Sequence, residues 1–281
     1  MNNKQLMSLF GLKWNPFGPE IPKEGLLSTD KIDRFVWEVE NLVLDGGFGM
    51  VTGDPGTGKS VALRILSGKL EGMRDLSVGV LERPQSNIAD FYRELGNLFG
   101  IELRGANRFS SFRMLRQKWH HHIESNLLRP VLLIDESQEM PISTLNELRL
   151  MSSTDFDSRI ILTIVLCGDR RLPEKFRIPD LLPLGSRIRT RLVMQPQSKT
   201  DLVEFLKEAI SKAGNPGLMT DSLIKTLAEH SAGNYRALCV LADQLLKEGV
   251  RQQAKQLTEK LFFDYTTEQR PVRKQRKEAV I

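Results

Sequence analysis

Cysteine is scarce in this chain: Cys167 and Cys239 are the only two in 281 residues, and each sits in an apolar stretch. Two isolated thiols supply neither a disulfide framework nor a metal cluster, so a reducing, cytoplasmic setting is expected. Histidine is nearly as rare, and three of the four residues are consecutive, His120-His121-His122. Neighbouring helical positions diverge by about a hundred degrees, so the triplet does not converge on one ion and reads as a partly exposed helix end. No apolar run approaches the roughly 20 residues of a membrane span, and no basic-then-apolar leader opens the chain. No membrane contact is expected, and no internal repeat is visible.

What is present is an ordinary globular composition, 40% hydrophobic and 27% charged, with length for one large domain or two smaller ones. The net charge of +5 is unevenly placed. Residues 266–281 carry Arg270, Arg273, Lys274, Arg276 and Lys277 against two glutamates, and residues 101–130 carry Arg104, Arg108, Arg113, Arg116, Lys118 and Arg129 against two more. Such clusters suit either a polyanionic partner or a solvated helix face with a solubilising tail.

Along the chain, Phe10–Gly18 mixes apolar residues with turn formers and reads as irregular. Helical spacing of Ile32, Phe35, Val36, Val39 and Leu42 follows possible caps at Ser28, Thr29 or Asp30 and stops at Gly46-Gly47. Strands are expected at 48–52, 76–81, 131–134, 160–167 and 187–194, with helices at about 59–70, 88–99, 112–128 and 143–152. That alternation argues for a right-handed α/β fold with a parallel sheet. After Pro196 the periodicity is helical only, over 198–213, 220–231 and 234–251, and a disordered tail is expected beyond about Tyr265.

Gly53-Asp54-Pro55-Gly56-Thr57-Gly58-Lys59-Ser60 fits the phosphate-cradling loop at every required position and stands between an apolar strand and a periodic helix. Its glycines let backbone N–H groups wrap a phosphate chain at the positive end of the new helix. Lys59 is expected to reach the β- and γ-phosphates of ATP, and the Ser60 hydroxyl to ligate Mg²⁺. Downstream, Val131-Leu132-Leu133-Ile134 ends in Asp135-Glu136, placing two carboxylates at the carboxyl edge of the sheet. Asp135 is expected to hold the Mg²⁺ shell and Glu136 to orient the attacking water, a pairing that favours hydrolysis over transfer to a small molecule. Arg187, Arg189 and Arg191 are open candidates for an arginine supplied to a neighbouring subunit, or for surface ion pairs. Arg236, in Gly233-Asn234-Tyr235-Arg236, either folds back to report nucleotide state or is a solvated residue at a helix start.

These motifs, in this order, resemble an AAA+ ATPase of the ExeA-like group, which includes secretion-associated ATPases and, most similar, the ATPase subunits of bacterial transposons. The resemblance runs from about Phe10 to Leu246. Phe10-Gly11-Leu12 with Asn15-Pro16-Phe17 looks like the group's opening, Ile134-Asp135-Glu136-Ser137-Gln138 its IDEAQ, and Glu147-Leu148-Arg149-Leu150-Met151-Ser152 its E-L-R-L-L-S helix. Gly233-Asn234-Tyr235-Arg236 looks like its G-x-P-R sensor-2 turn, with Tyr235 in place of proline. The resemblance implies an N-terminal strap over 1–27, an AAA+ α/β domain over 28–195, a helical lid over 196–265 and a basic tail over 266–281. It also implies Arg187 as the arginine finger and Arg236 as sensor 2. Trp14 and Phe17 then either pack beside the adenine or anchor the strap to the core. Where the group reads Gly-Gln after its sensor-1 strand, this chain reads Gly168-Asp169. A carboxylate facing the γ-phosphate is repulsive unless Mg²⁺ or an arginine intervenes, so slow or partner-dependent hydrolysis is expected.

By the same resemblance, the expected function is an ATP-dependent regulator of transposition. It would oligomerise on DNA, largely without sequence preference, and recruit a transposase, with a target-selection protein as a further possible partner. Absence of the membrane span and wall-binding domain of the secretion branch favours that reading over a cytoplasmic ATPase acting on a secretion or envelope complex. A small-molecule kinase is disfavoured by Asp135-Glu136, Arg187 and the helical lid.

Overall fold

Apolar runs too short for helices become the central strands, and amphipathic stretches become the helices that cover them. The computed structural model describes residues 3–82, 84, 87–103, 107–125, 127–154 and 159–268. It divides into an α/β unit, Ser28–Pro196, and a helical unit formed by residues up to Leu27 together with those from Gln197 onward.

Helix α1 (Asn3–Phe10) opens the chain and belongs to the helical unit. The α/β unit follows with α2 (Asp30–Asp45), β1 (Gly47–Gly53), α3 (Lys59–Glu71), β2 (Leu76–Leu81), α4 (Ile88–Phe99), α5 (Arg108–Ser125), β3 (Arg129–Ile134) and α6 (Ile142–Ser152). After them come the short β4 (Ser153–Thr154) and β5 (Arg159–Ile160), then β6 (Thr163–Gly168), α7 (Arg171–Lys175), α8 (Leu182–Gly185) and β7 (Ile188–Met194). The five long strands form one parallel sheet in the order β2-β3-β6-β1-β7, as the alternation of strands and helices predicts. Every residue of β1 and β6 is buried, which is why these strands read as apolar runs and not as alternation.

Two sequence expectations shift here. The run 160–167 is divided: Ile160 joins the antiparallel β4–β5 pair, and the central strand starts at Thr163. Gly46 permits the approach, since a Cβ there would stand 2.7 Å from Ile160 Cγ2 and the backbone has φ +74°. Helix α5 begins at Arg108, four residues before Phe112, because Asn107 Oδ1 accepts the Ser110 N–H at 3.0 Å. It ends at Ser125 and not at Leu128, for Leu127 is left-handed (φ +55°). Pro130 lies inside β3, ahead of Val131 where pairing with β6 begins.

The helical unit contains α9 (Lys199–Lys212), α10 (Asp221–His230), α11 (Tyr235–Arg251) and α12 (Glu259–Glu268). A full capping box at Ser198 and Asp201 starts α9, and Asn234 caps α11. Its core takes Leu6, Phe10, Leu12 and Phe17 from the opening segment alongside Leu206, Leu223, Leu238 and Leu257. Phe17 is therefore an anchor of the strap within the helical unit, and Trp14 packs against the same core. Polar ties fix it further: Asn15 Nδ2 donates to Asp243 Oδ1 at 2.8 Å, and Asn215 Nδ2 to the Phe10 carbonyl at 2.8 Å. Helices α1 and α12 were not expected from sequence, and α12 carries helix through residues 266–268 of the expected tail. The remainder of that tail, with Arg270–Lys277, lies outside the described residues, as does Arg104.

Candidate functional site

The sheet order determines which loops meet. β6 lies between β1 and β3, so the glycine-rich loop after β1, the turn after Gly168 and the acidic turn after β3 gather at one edge of the sheet.

Within the loop, Gly56 (φ +82°) and Gly58 (φ +98°) take left-handed conformations that side chains resist. Gly53 is required by crowding, since a Cβ there would collide with the Met194 carbonyl. The Asp54 carbonyl gathers the inside of the loop, accepting from Thr57 Oγ1 at 2.8 Å and from Lys59 Nζ at 3.1 Å. Helix α3 starts at Lys59, directing the N–H groups of its first turn into this bend.

Ser60 Oγ donates to Asp135 Oδ2 at 3.1 Å, so the first turn of α3 and the end of β3 are in direct contact. These are hard oxygen donors of the kind Mg²⁺ takes, and they fit that ion. Glu136 is in the left-handed region at φ +49°, an uncommon state for a non-glycine residue. Its N–H is held by Asp135 Oδ1 at 2.9 Å, and the Ser137 hydroxyl donates to the Ile134 carbonyl at 3.0 Å. Beneath this turn Cys167 is buried, and burial, with the Asp135 charge adding to it, pushes the thiol well above its ordinary range. It is a packing residue and not a nucleophile.

The Asp169 carboxylate turns to Arg171. It accepts that residue's backbone N–H at 2.8 Å and its Nε at 2.9 Å. Desolvation opposes the charge, but the Arg171 hydrogen bonds together prevail and hold the carboxyl below its ordinary value. Arg171 also pairs with Glu139 at 2.5 Å. The neighbouring Arg170 points the other way and pairs with Asp54 of the glycine-rich loop. Thus an arginine does stand beside the loop, at a position that no sequence motif marks. The signal was available, two arginines directly after a strand end, but only the sheet order aims them.

The arginines around β7 lie elsewhere in the α/β unit. Arg187, whose Nη1 is 3.5 Å from Ser153 Oγ, precedes β7 at the level where Ile188 pairs with Phe48. That is the opposite edge of the sheet from Gly53–Ser60, roughly 20 Å along a seven-residue strand. Arg187 is therefore not brought to the phosphate loop of its own chain. Arg189 and Arg191 project from the exposed side of β7. Arg236 is exposed on the first turn of α11 in the helical unit. Among the described residues no group of His, Cys, Asp and Glu is placed to hold a metal ion by itself, the histidine triplet included. Among them, too, no helix is long and apolar enough to cross a membrane.

Residues 43–176 match the AAA domain family. General secretion pathway protein A of Aeromonas hydrophila is 26% identical over 243 residues, which are 84% of this chain and 43% of that protein, so the chain spans less than half of its relative. The ORC2 protein of Aeropyrum pernix superposes with a TM-score of 0.71 at 14% identity, over 90% of this chain and 71% of that one. Drosophila ORC bound to DNA gives 0.69 at 17% identity, over 94% and 65%. At such identities the structural likenesses speak for the fold. With the parallel sheet, the phosphate loop and the matched domain in agreement, the chain has the fold of a P-loop AAA+ core, carries an AAA domain over residues 43–176, and is an ATPase.

Proposed function

We propose that the chain binds ATP with Mg²⁺ at Gly53–Ser60, hydrolyses it slowly, and uses its nucleotide state to control assembly on DNA and engagement of a transposase. The observation that carries the nucleotide reading is the contact of Ser60 with Asp135, next to Glu136, at the mouth of a left-handed glycine loop. Loop N–H groups and Lys59 bind the phosphates, Ser60 and Asp135 would hold the ion, and Glu136 orients the attacking water. When bound, Mg²⁺ supplies Lewis-acid stabilisation of charge on the phosphate oxygens. Arg187, turned to the far edge of its own sheet, acts on the site of a neighbouring copy in a ring or filament, and Arg236 reports nucleotide state from the helical unit. The ion-paired Asp169 does not take the sensor-1 role, in keeping with slow, partner-stimulated turnover.

DNA as partner is supported by charge: helix α5 presents Arg113 on its exposed side, and the basic tail adds to it. Fold likeness to a DNA-bound complex supports the same reading. Phosphate contacts of this kind give binding whose affinity falls linearly with the logarithm of salt. A filter-binding or anisotropy titration with ATP should show that slope, and Arg113→Ala should lessen it by about one contact. No DNA binding by the ATP-loaded protein even at low salt would overturn the proposal.

A second reading has its own observation, the 26% identity to a general secretion pathway protein. On that reading the same ATPase core acts on a secretion or envelope complex with protein partners alone. Co-purification of envelope proteins without any transposase would favour it.

A further inference from the structure

Gln138 takes no part in the chemistry above, yet its side chain is buried and both ends of its amide are engaged. Nε2 donates to Oε2 of Glu136 at 2.5 Å, while Oε1 accepts the backbone N–H of Asp169 at 3.2 Å. The partners decide the orientation of the amide, because an ionised carboxylate only accepts and a backbone N–H only donates. A flipped amide would lose both bonds and face two like groups.

The contact is built into its surroundings from three sides. Gly168, the last residue of β6, is in an ordinary strand conformation, but a Cβ there would stand 2.5 Å from Gln138 Oε1. Lys175 of α7 donates to the carbonyl of Gln138 at 2.8 Å and to that of Met140, fixing the turn from behind. Ser137 pins the front of the same turn to β3. The result is a rigid amide joining the glutamate just after β3 to Asp169 just after β6, the residue that leads into Arg170 and Arg171.

We propose that Gln138 is a positioning residue for ATP hydrolysis: its amide holds the Glu136 carboxylate in one orientation and ties that orientation to the Gly168–Asp169 end of β6. The inference rests on Glu136 acting on the attacking water. A carboxylate one bond from solvent otherwise samples several rotamers, and misplacement of an orienting group by about 1 Å can cost on the order of a hundredfold in rate. Because Gln138 touches Glu136 and not the loop, its loss should reduce turnover and leave nucleotide affinity alone.

The experiment uses the full chain with Mg-ATP. Gln138→Glu keeps the size of the side chain and an acceptor for the Asp169 N–H but removes the donor to Glu136. Gln138→Met removes both bonds and adds no charge. Both should lose at least about tenfold in kcat, with the Kd for ATP from a fluorescent-nucleotide titration within about twofold of the parent. In single-turnover assays on a Glu136→Gln background, Gln138→Met should cause no further loss, since residues acting as a unit are not additive. If Gln138→Met melts early, Gln138→Glu carries the test. Hydrolysis within twofold of the parent for the Gln138 variants, with Glu136→Gln inactive, overturns the inference and spares the role of Glu136. An equal loss on both backgrounds, or a matching loss of affinity, would make Gln138 merely structural and overturn it too. Normal hydrolysis by Glu136→Gln would remove the role of Glu136, and this inference with it.

Discussion

Glu147 offers a sharp test of how the α/β unit is held together. It belongs to the Glu147–Ser152 stretch by which the chain resembles its group, yet its carboxylate is only 2% exposed and serves structure. Tyr92 of α4, fully buried, donates to Oε1 at 2.5 Å, and Arg108 of α5 donates from Nε at 3.0 Å and again from Nη2. Three helices thus meet on one carboxylate. Tyr92→Phe deletes a buried hydrogen bond to a charged acceptor, which costs about 1.5–3 kcal/mol. Arg108→Ala removes a charge whose side chain is 59% exposed, so solvent screens the pair and water can replace the guanidinium. That change should cost less, about 1 kcal/mol. The double variant should exceed the sum, because the carboxylate is then left with neither partner. Thermal denaturation reads the order directly, at roughly 2–4 °C per kcal/mol for a unit of this size. Should Arg108→Ala prove the more damaging single change, the ion pair and not the buried phenol bond governs the site, and the reasoning fails.

Other expectations follow from the same geometry. Lys59→Ala should abolish ATP binding, whereas Glu136→Gln should bind ATP, hydrolyse it poorly and trap the assembled form; isothermal titration, phosphate release and size-exclusion chromatography separate these outcomes. Gly53→Ala should lower both nucleotide affinity and melting temperature, since its methyl group meets the Met194 carbonyl; unchanged values for both would count against the loop geometry described. His122 is held below its ordinary value of 6.5, first by desolvation and then by the Lys118 charge. Its stabilising contribution is therefore complete above about pH 6.5 and is lost as pH falls toward the lower folded value. The melting temperature should drop between pH 7 and 5, and His122→Gln should flatten that slope.

Much of the fold was legible because local chemistry and global position agreed. Gly47–Gly53 and Arg129–Ile134 are short apolar runs between turn residues, and such runs have few options besides central parallel strands. Caps at Thr29, Ser198 and Asn234 likewise mark helix starts by their own hydrogen bonds. Where the reading slipped, the deciding partner was remote. Helix α1 needs Leu6 and Phe10 buried against residues some two hundred positions away, and eight residues alone carry too little periodicity to announce it. The break before Thr163 depends on the pairing of β4 with β5, which no local pattern displays.

The candidate site shows the same division. By itself, the sequence determined that a glycine-rich loop precedes a helix, that Asp135 and Glu136 end an apolar strand, and that Asp169 stands where a neutral residue was expected. The first two follow from residue type and spacing along one element, and the third from the family resemblance. Only the tertiary structure decided that β6 lies between β1 and β3. That order turns Asp169 onto Arg171, carries Arg170 to Asp54 and threads Gln138 between Glu136 and Asp169. The physical reason is that strand order is set by which apolar faces bury best across the whole sheet, a long-range choice that no single segment encodes.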